Sequence, residues 1–448
     1  MQNTELPLPQ TPLPKAFIEN MKKQLPPTEW EAFFACYVAG AKPYKGVRLN
    51  PLKGNVAEIA ALLPFLGEKV AWEKNGYYTN AEKTGGSPFH HAGLFYSQEP
   101  SAMCAAPLLE VQSGERVLDL CSAPGGKGTQ LAGEMGGEGI IVLNEPISAR
   151  AKILSQNVER MGVKNAVVTS EMPETLSRKF AGYFYKIFVD APCSGEGMFR
   201  KNADEALTEW SEENVTLCAE RQSRILREAV KMLKVGGKLA YSTCTFATKE
   251  DEEQVQALLS AQPCLRLIKQ EKIYPHKQAG EGHFAALFEK VSSGEEEDVI
   301  VRIKQAKASV SRETERVYRA FEKDFFNAPF AGELYEAKGV LYALPKGVFD
   351  WQGLQVLRVG VRLGEMKNGR FEPSHALAMS ARVSECKNVA EYDIEDARVE
   401  KYLRGETVES EGIKNGWCMV SVAGYPLGLG KAVNGVVKNH LPKGLRKN

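Results

Sequence analysis

The stretch Glu115 to Gln130, ERVLDLCSAPGGKGTQ, decides how the rest of the chain is read. Val117 and Leu118 lead to Asp119, so ERVLDL predicts a buried strand that ends in a carboxylate. Cys121, Ser122 and Ala123 are small, Pro124 rules out a continuing ladder, and Gly125 and Gly126 permit backbone conformations closed to other residues. A helix opening at Lys127 or Gly128 would point free N–H groups at whatever sits in the loop. Strand, glycine turn and helix predict a cofactor cradle, because a turn without side chains lets a ligand approach the backbone closely. The spacing matches neither G-x-G-x-x-G nor a phosphate loop, since Gly128 stands where the latter needs a hydroxyl. Phosphate binding is therefore disfavoured. A glycine pair after a strand is otherwise an ordinary turn, so the case depends on the strands and helices further along the chain.

From about Tyr96 the pattern alternates between strands and helices, which predicts a parallel sheet covered by helices. GIIVLNE is a second strand ending at Glu145, roughly the ~20 residues downstream where an acidic side chain binds ribose hydroxyls. A helix over Ile147 to Met161 leads to a third strand, NAVVTSE, and then a fourth with its loop, KIFVDAPCSGEGMF. Trp210 to Leu233 is helical, GGKLAYSTCTF is a fifth strand, and Lys249 to Ser260 is a helix. Cys193 and Cys244 thus stand at the ends of two strands, and the carboxyl ends of a parallel sheet line its ligand crevice. Each alone is a small buried residue. Together, with Asp190 ahead of one of them, they point to thiol chemistry in the cleft of the glycine turn.

On either side of this core the composition changes. Phe17, Ile18 and Met21, then Trp30, Phe33, Phe34 and Tyr37, recur at helical spacing and predict core helices. Lys45 to Gly54 carries a short strand, Val56 to Leu66 an amphipathic helix, and WEKNGYYTN a hairpin turning at Asn75-Gly76. After Lys290, SSGEEED reads as a linker, followed by a charged helix near Ser311 to Phe326. Short strands in VLYALP, LQVLRVGVRLG and WCMVSVAGYPLGLGKAVNG then predict a small β-rich domain with a basic tail.

At 448 residues, 43% hydrophobic and 25% charged, the chain predicts two or three soluble domains. Its net charge of +1 neither supports nor excludes a nucleic-acid partner. Nine cysteines without a C-x-x-C pair argue against a disulfide framework and a zinc knuckle, so no metal is expected and a reducing cytoplasm fits best. The N-terminus lacks the features of a secretory signal, and no apolar run approaches the ~18 residues of a membrane span.

APGGKGTQ, VDAPCSGEGMF, YSTCTF and YSQEPSAM together resemble the Sun-type RNA cytosine-5 methyltransferase family, and most closely its bacterial ribosomal RNA branch. RLNPLK resembles the family's N-terminal RNA-facing motif, and GRFEPSHALAM with GYPLGLGKAVNGVVKNHLPKGLR resembles that branch's PUA-like portion. The resemblance implies an α/β, Rossmann-like class I S-adenosylmethionine-dependent methyltransferase. An α+β N-terminal RNA-facing domain would span 1–95, the methyltransferase domain 96–290, a linker 291–318, and a β-rich PUA-like domain 319–448. It implies methylation of carbon 5 of cytosine in RNA, chiefly small-subunit (16S) ribosomal RNA, within the subunit or its precursor. Cys244 would be the nucleophile, Cys193 would assist release, and Asp190 would bond the base near N3. S-adenosylmethionine would lie on Cys121, Ser122, Ala123, Pro124, Gly125, Gly126 and Lys127, with its ribose on Glu145. Asp190 would also border the cofactor, and Glu171 is the carboxylate nearest the expected adenine contact. Arg150 would orient the ribose carboxylate or face solvent. Arg48, Asn50, Arg200, Lys201, Lys438, Lys443 and Arg446 are candidate RNA contacts.

Three other readings compete. A DNA cytosine-5 methyltransferase would use the cysteine after the proline, Cys193, as nucleophile. A catalytically idle ribosome-assembly factor would use the cleft only to bind RNA. A nicotinamide dehydrogenase would need the glycine fingerprint that this turn lacks.

Overall fold

A computed structural model describes residues 13–38, 41–293 and 303–447. Residues 1–12, 39–40, 448 and 294–302, which hold the acidic run of the expected linker, lie outside the described residues. No helix among the described residues is long and apolar enough to cross a membrane.

The centre is an eight-stranded sheet. Its strands are β1 (Arg116–Asp119), β2 (Ile140–Asn144), β3 (Ala166–Thr169), β4 (Phe184–Asp190), β5 (Leu233–Thr243), β6 (Leu265–Ile273), β7 (His283–Lys290) and β8 (Val356–Val359). Their order across the sheet is β6-β7-β5-β4-β1-β2-β3-β8. The five strands from β5 across to β3 run parallel, while β6, β7 and β8 pair antiparallel. Parallel neighbours need crossovers, supplied here by α1 (Gly126–Glu134), α2 (Ser148–Arg160), α3 (Pro173–Lys179) and α4 (Glu212–Met232). Val117, Leu118, Val142, Val167 and Ile187 are fully buried, as strands covered on both faces must be.

The strand order reverses at β1, between β2 and β4. At this switch point the loops after β1 and β4 diverge to opposite faces and leave a crevice at their carboxyl ends. Cys121 to Gly125 and Asp190 to Cys193 occupy those loops.

The N-terminal helices Lys15–Gln24 and Pro27–Ala35 pack onto this end of the sheet. Phe17 lies 5.1 Å from Phe199, and Phe33 5.7 Å from Phe246, both pairs edge to face. Each such pair contributes about 0.5–1.5 kcal/mol beyond area burial, and these two clamp the loops that follow β4 and β5. A four-stranded sheet comes next, with Gly46–Leu49 at its interior. The hairpin is present, but the bend lies one residue early, at Lys74-Asn75, where the Gly76 N–H donates to the Glu73 carbonyl. Gly76 opens a strand instead, and a Cβ there would stand 2.9 Å from the Met103 sulfur.

The C-terminal strands form a four-stranded and a five-stranded sheet. LQVLRVGVRLG does not stay together. Its first half is β8, paired antiparallel with β3, and its second half, Val361–Lys367, joins the four-stranded sheet. Val359 and Val361 are both buried, on opposite sides of this division, so one short apolar run serves two cores.

Candidate active site

The turn after β1 is held from behind by α2. Arg150 donates to the Ala123 carbonyl at 3.0 Å and Asn157 to the Pro124 carbonyl at 2.9 Å. Gly125, with φ +112°, turns the chain into α1, a conformation a side chain would strain. At Gly128 a Cβ would stand 2.5 Å from Ser122 Oγ and 2.9 Å from Asp119 Oδ2. This close approach explains the glycine.

The cradle fits an aminoacyl nucleoside. The Ser122 hydroxyl is buried and without a partner, as are both oxygens of Asp119. Burial raises the Asp119 carboxyl to about 7, and the nearby Asp190 carboxylate adds to the rise. Burial also pushes the Cys121 thiol well up, so it lines the turn as a neutral group. Glu145, at the tip of β2, accepts from the Ile147 N–H at 3.0 Å and lies 3.3 Å from Arg150. Arg150 therefore orients this carboxylate and clasps the turn at once. Each Glu145 oxygen keeps a lone pair for a ribose hydroxyl.

Across the crevice, Asp190 Oδ2 accepts from Lys127 Nζ at 2.8 Å and Oδ1 from the Ser242 hydroxyl at 2.8 Å. Burial opposes its charge, but Lys127 and then the Ser242 bond hold the carboxyl below its ordinary range. Cys193 Sγ and Cys244 Sγ lie 3.2 Å apart, and the Cys244 N–H donates to the Cys193 sulfur at 3.3 Å. Both thiols are partly exposed, so a ring can reach them. The hydrogen bond with Cys244, then burial, pushes the Cys193 thiol well above its usual value.

A set of buried carboxylates staples the two thiol loops together. The Gly197 N–H donates to the Cys244 carbonyl at 2.9 Å, and Glu196 accepts from the Phe246 N–H at 3.0 Å. Glu250 accepts from the Ser194 N–H at 3.0 Å and from Gln222 at 2.8 Å. Lys127 is expected here, Ser242 and Glu196 lie inside YSTCTF and VDAPCSGEGMF without being singled out, and Glu250 and His283 carry no recognisable spacing. His283 sits on β7 beside the Asp190 pair, and burial, with Lys127, pushes its imidazole down to about 3.

Other expected positions fall elsewhere. Arg48 is 3% exposed and donates to Gln98 and, at 2.9 Å, to Thr129. Asn50 is buried too, donating to the carbonyls of Gly93 and Met161. Arg200 lies 3.3 Å from Glu281 and donates to the Cys36 and Lys42 carbonyls. These three tie the N-terminal region to the rest of the molecule and are not RNA contacts. Lys201, Lys438 and Lys443 are exposed, while Arg446 is half-buried and donates to the Leu441 carbonyl. Glu171 directs its carboxylate at the Gln355 N–H, 2.6 Å away, on the C-terminal chain.

A switch-point crevice with this cradle defines a Rossmann-like, S-adenosylmethionine-dependent methyltransferase. The model of 16S rRNA methyltransferase RsmB/F matches residues 106–289, and that of the N-terminal domain of 16S rRNA methyltransferase RsmF matches 13–100. The RsmF first C-terminal domain matches 320–380 and the RsmF PUA domain 389–447. The ribosomal RNA small subunit methyltransferase F of Vibrio cholerae serotype O1 (strain M66-2) is 31% identical over 470 residues, covering 98% of each chain. The chain belongs to this RsmF family of ribosomal RNA methyltransferases. Among solved structures, a methyltransferase homolog from Pyrococcus horikoshii is 25% identical over 62% of this chain and all of its own, with a TM-score of 0.51. NSun6 from Pyrococcus horikoshii, solved with SFG, shares the fold at 20% identity and a TM-score of 0.56, over 62% of this chain and 99% of that one.

Proposed function

We propose that this chain methylates carbon 5 of cytosine in small-subunit (16S) ribosomal RNA through a covalent bond between Cys244 Sγ and carbon 6 of the ring. The observation that carries the reading is the thiol pair, 3.2 Å apart, beside the Lys127–Asp190 ion pair. Carbon 5 of cytosine is too electron-poor to attack a methyl group unaided. Addition of the Cys244 thiolate to carbon 6 moves the π electrons toward carbon 5 and N3 and makes carbon 5 nucleophilic. Asp190 bonds the ring edge near N3, and the Lys127 ammonium paired with it offsets the negative charge that builds on the ring as the sulfur adds. S-adenosylmethionine supplies the electrophilic methyl group, with its methionine end on Cys121 to Lys127 and its ribose on Glu145. The carbon 5 proton must then leave and the sulfur–carbon 6 bond must break. Cys193, adjacent to the adduct, assists this elimination as a proton-transfer group. The target base has to be unstacked, since carbon 6 is out of reach inside a helix.

The division into residues 1–95, 96–290, 291–318 and 319–448 serves this chemistry, with the flanking parts presenting RNA to the cleft. The substrate is the small subunit or its precursor, in the cytoplasm. The test is transfer of labelled methyl from S-adenosylmethionine to small-subunit rRNA, with base-resolution mapping of 5-methylcytosine. Wild-type protein should modify defined cytosines. Cys244→Ala should lose at least about 10³-fold in rate, and Cys193→Ser should accumulate RNA-bound protein. No incorporation into any form of the RNA would instead favour an idle assembly factor.

A further inference from the structure

Two separate hydrogen-bonded routes reach the turn after β1, one beginning at Gln355, immediately before the C-terminal strand β8, and the other on β8 itself. Along the first, the Ser170 N–H donates to the Gln355 carbonyl at 2.9 Å, and the Gln355 N–H donates to Glu171 Oε1 at 2.6 Å. Asn144 clasps the Glu171 backbone, donating to its carbonyl at 2.9 Å and accepting from its N–H at 3.1 Å. The same Asn144 amide donates to the Leu120 carbonyl at 3.1 Å, and the Asn144 carbonyl accepts from the Ser122 N–H at 2.8 Å. Four strand ends are thus tied in a row.

The second route runs through α2. Arg358 on β8 pairs with Glu159 and donates to Ser155 Oγ at 3.2 Å. The two charged side chains are only 12% and 24% exposed, so water competes weakly for them. Along the same helix, Asn157 and Arg150 hold the carbonyls of Pro124 and Ala123. Both routes therefore converge on residues 120–124.

We propose that the Arg358–Glu159 pair and the Gln355–Glu171 bond are positioning contacts for the methyl donor, through which the C-terminal strand holds the cofactor turn in its binding shape. The proposal rests on the reading of Cys121 to Lys127 and Glu145 as the donor site. A glycine turn that is ordered before binding loses less conformational freedom when the ligand arrives. Central parallel strands are ordered by their own sheet, but β3 without β8 would present a bare edge next to the site. Glu171 thus acts on the cofactor through the backbone it braces, which explains why its carboxylate points away to Gln355.

The test compares full-length wild type with Arg358→Glu, Glu159→Arg, the swapped double variant, and Glu145→Ala. The readouts are the Kd for S-adenosylmethionine by calorimetry and kcat on rRNA at saturating donor. Each single reversal should raise Kd about tenfold and leave saturating kcat within about twofold. The swapped pair should return Kd to within about threefold of wild type. A brace for stability alone would move Tm while Kd stayed within about twofold, and that result overturns the proposal. So does a double variant no better than the singles. Should the single variants not fold, hydrogen exchange on wild type decides: donor should slow the Ser170 and Gln355 amides, and unchanged rates reject the idea. If Glu145→Ala keeps wild-type affinity, the ribose assignment is at fault, separately from the brace. If wild type binds no donor, the cradle assignment fails and takes the brace with it.

Discussion

Cys193 and Cys244 are chemically identical side chains, and the division of work proposed for them rests on their surroundings. Cys193 is kept protonated by its neighbour and by burial, and its loop is anchored from below by Glu250. Burial raises the Glu250 carboxyl from 4.5 to about 7, against the bonds from Ser194 and Gln222. A carboxyl with a raised folded-state pKa stabilises fully below its unfolded value and loses that contribution as pH rises through the folded one. Wild-type stability should therefore fall between about pH 4.5 and 7 through this group. Glu250→Gln keeps an acceptor for the Ser194 N–H and cannot ionise. Its melting temperature should fall less steeply across that window, and parallel curves for the two proteins would refute the assignment. The residues proposed for the chemistry were legible because Asp190, Cys193 and Cys244 fall at the carboxyl ends of parallel strands, which line a ligand crevice. The Lys127–Asp190 pair was not, because the two are far apart in sequence and only the closure of the sheet brings them to 2.8 Å.

Strand, turn and α1 form the element proposed to hold the cofactor. APGGKGTQ announced it through its glycines, and the structure gives two of them separate tasks. Gly125 supplies the positive φ, while Gly128 lets α1 approach Ser122, Leu143 and Asp119. All three of those side chains are buried and cannot give way cheaply. Gly128→Ala should cost about 1–3 kcal/mol of stability and weaken S-adenosylmethionine binding at least about tenfold, measurable by denaturant melts and calorimetry. Unchanged affinity would mean that the turn does not touch the donor. The alternation of strands and helices from Tyr96 onward was equally readable, since apolar runs of that kind fit a sheet covered on both faces. The departure of Val356–Val359 into the central sheet was not readable. Four apolar-rich residues satisfy either sheet locally, and only the edge left open by β3 selects one.

Taken whole, the molecule wraps its catalytic domain from both ends. N-terminal aromatic residues clamp the loops after β4 and β5, and β8 completes the sheet on the far side. Val47, Leu49 and Phe95 share a core with Ala390, Val420 and Leu441, so the first and last parts of the chain pack together. Arg48 and Arg200 belong to this architecture, which a sequence cannot distinguish from an RNA contact, because burial of a charge depends on partners remote in the chain. Lys438 and Lys443 remain exposed. Reversing both to Glu should weaken rRNA binding and lower the magnitude of the salt-dependence slope by roughly 2, with donor affinity unchanged. An unaltered slope would remove these lysines from the interface. The central claim concerns one bond. RNA carrying 5-fluorocytosine at the target stops the reaction after methyl transfer, because no proton can leave carbon 5. Mass spectrometry of the trapped complex should then place the nucleotide on Cys244. Attachment at Cys193, or no adduct from an enzyme that methylates ordinary RNA, would contradict the account.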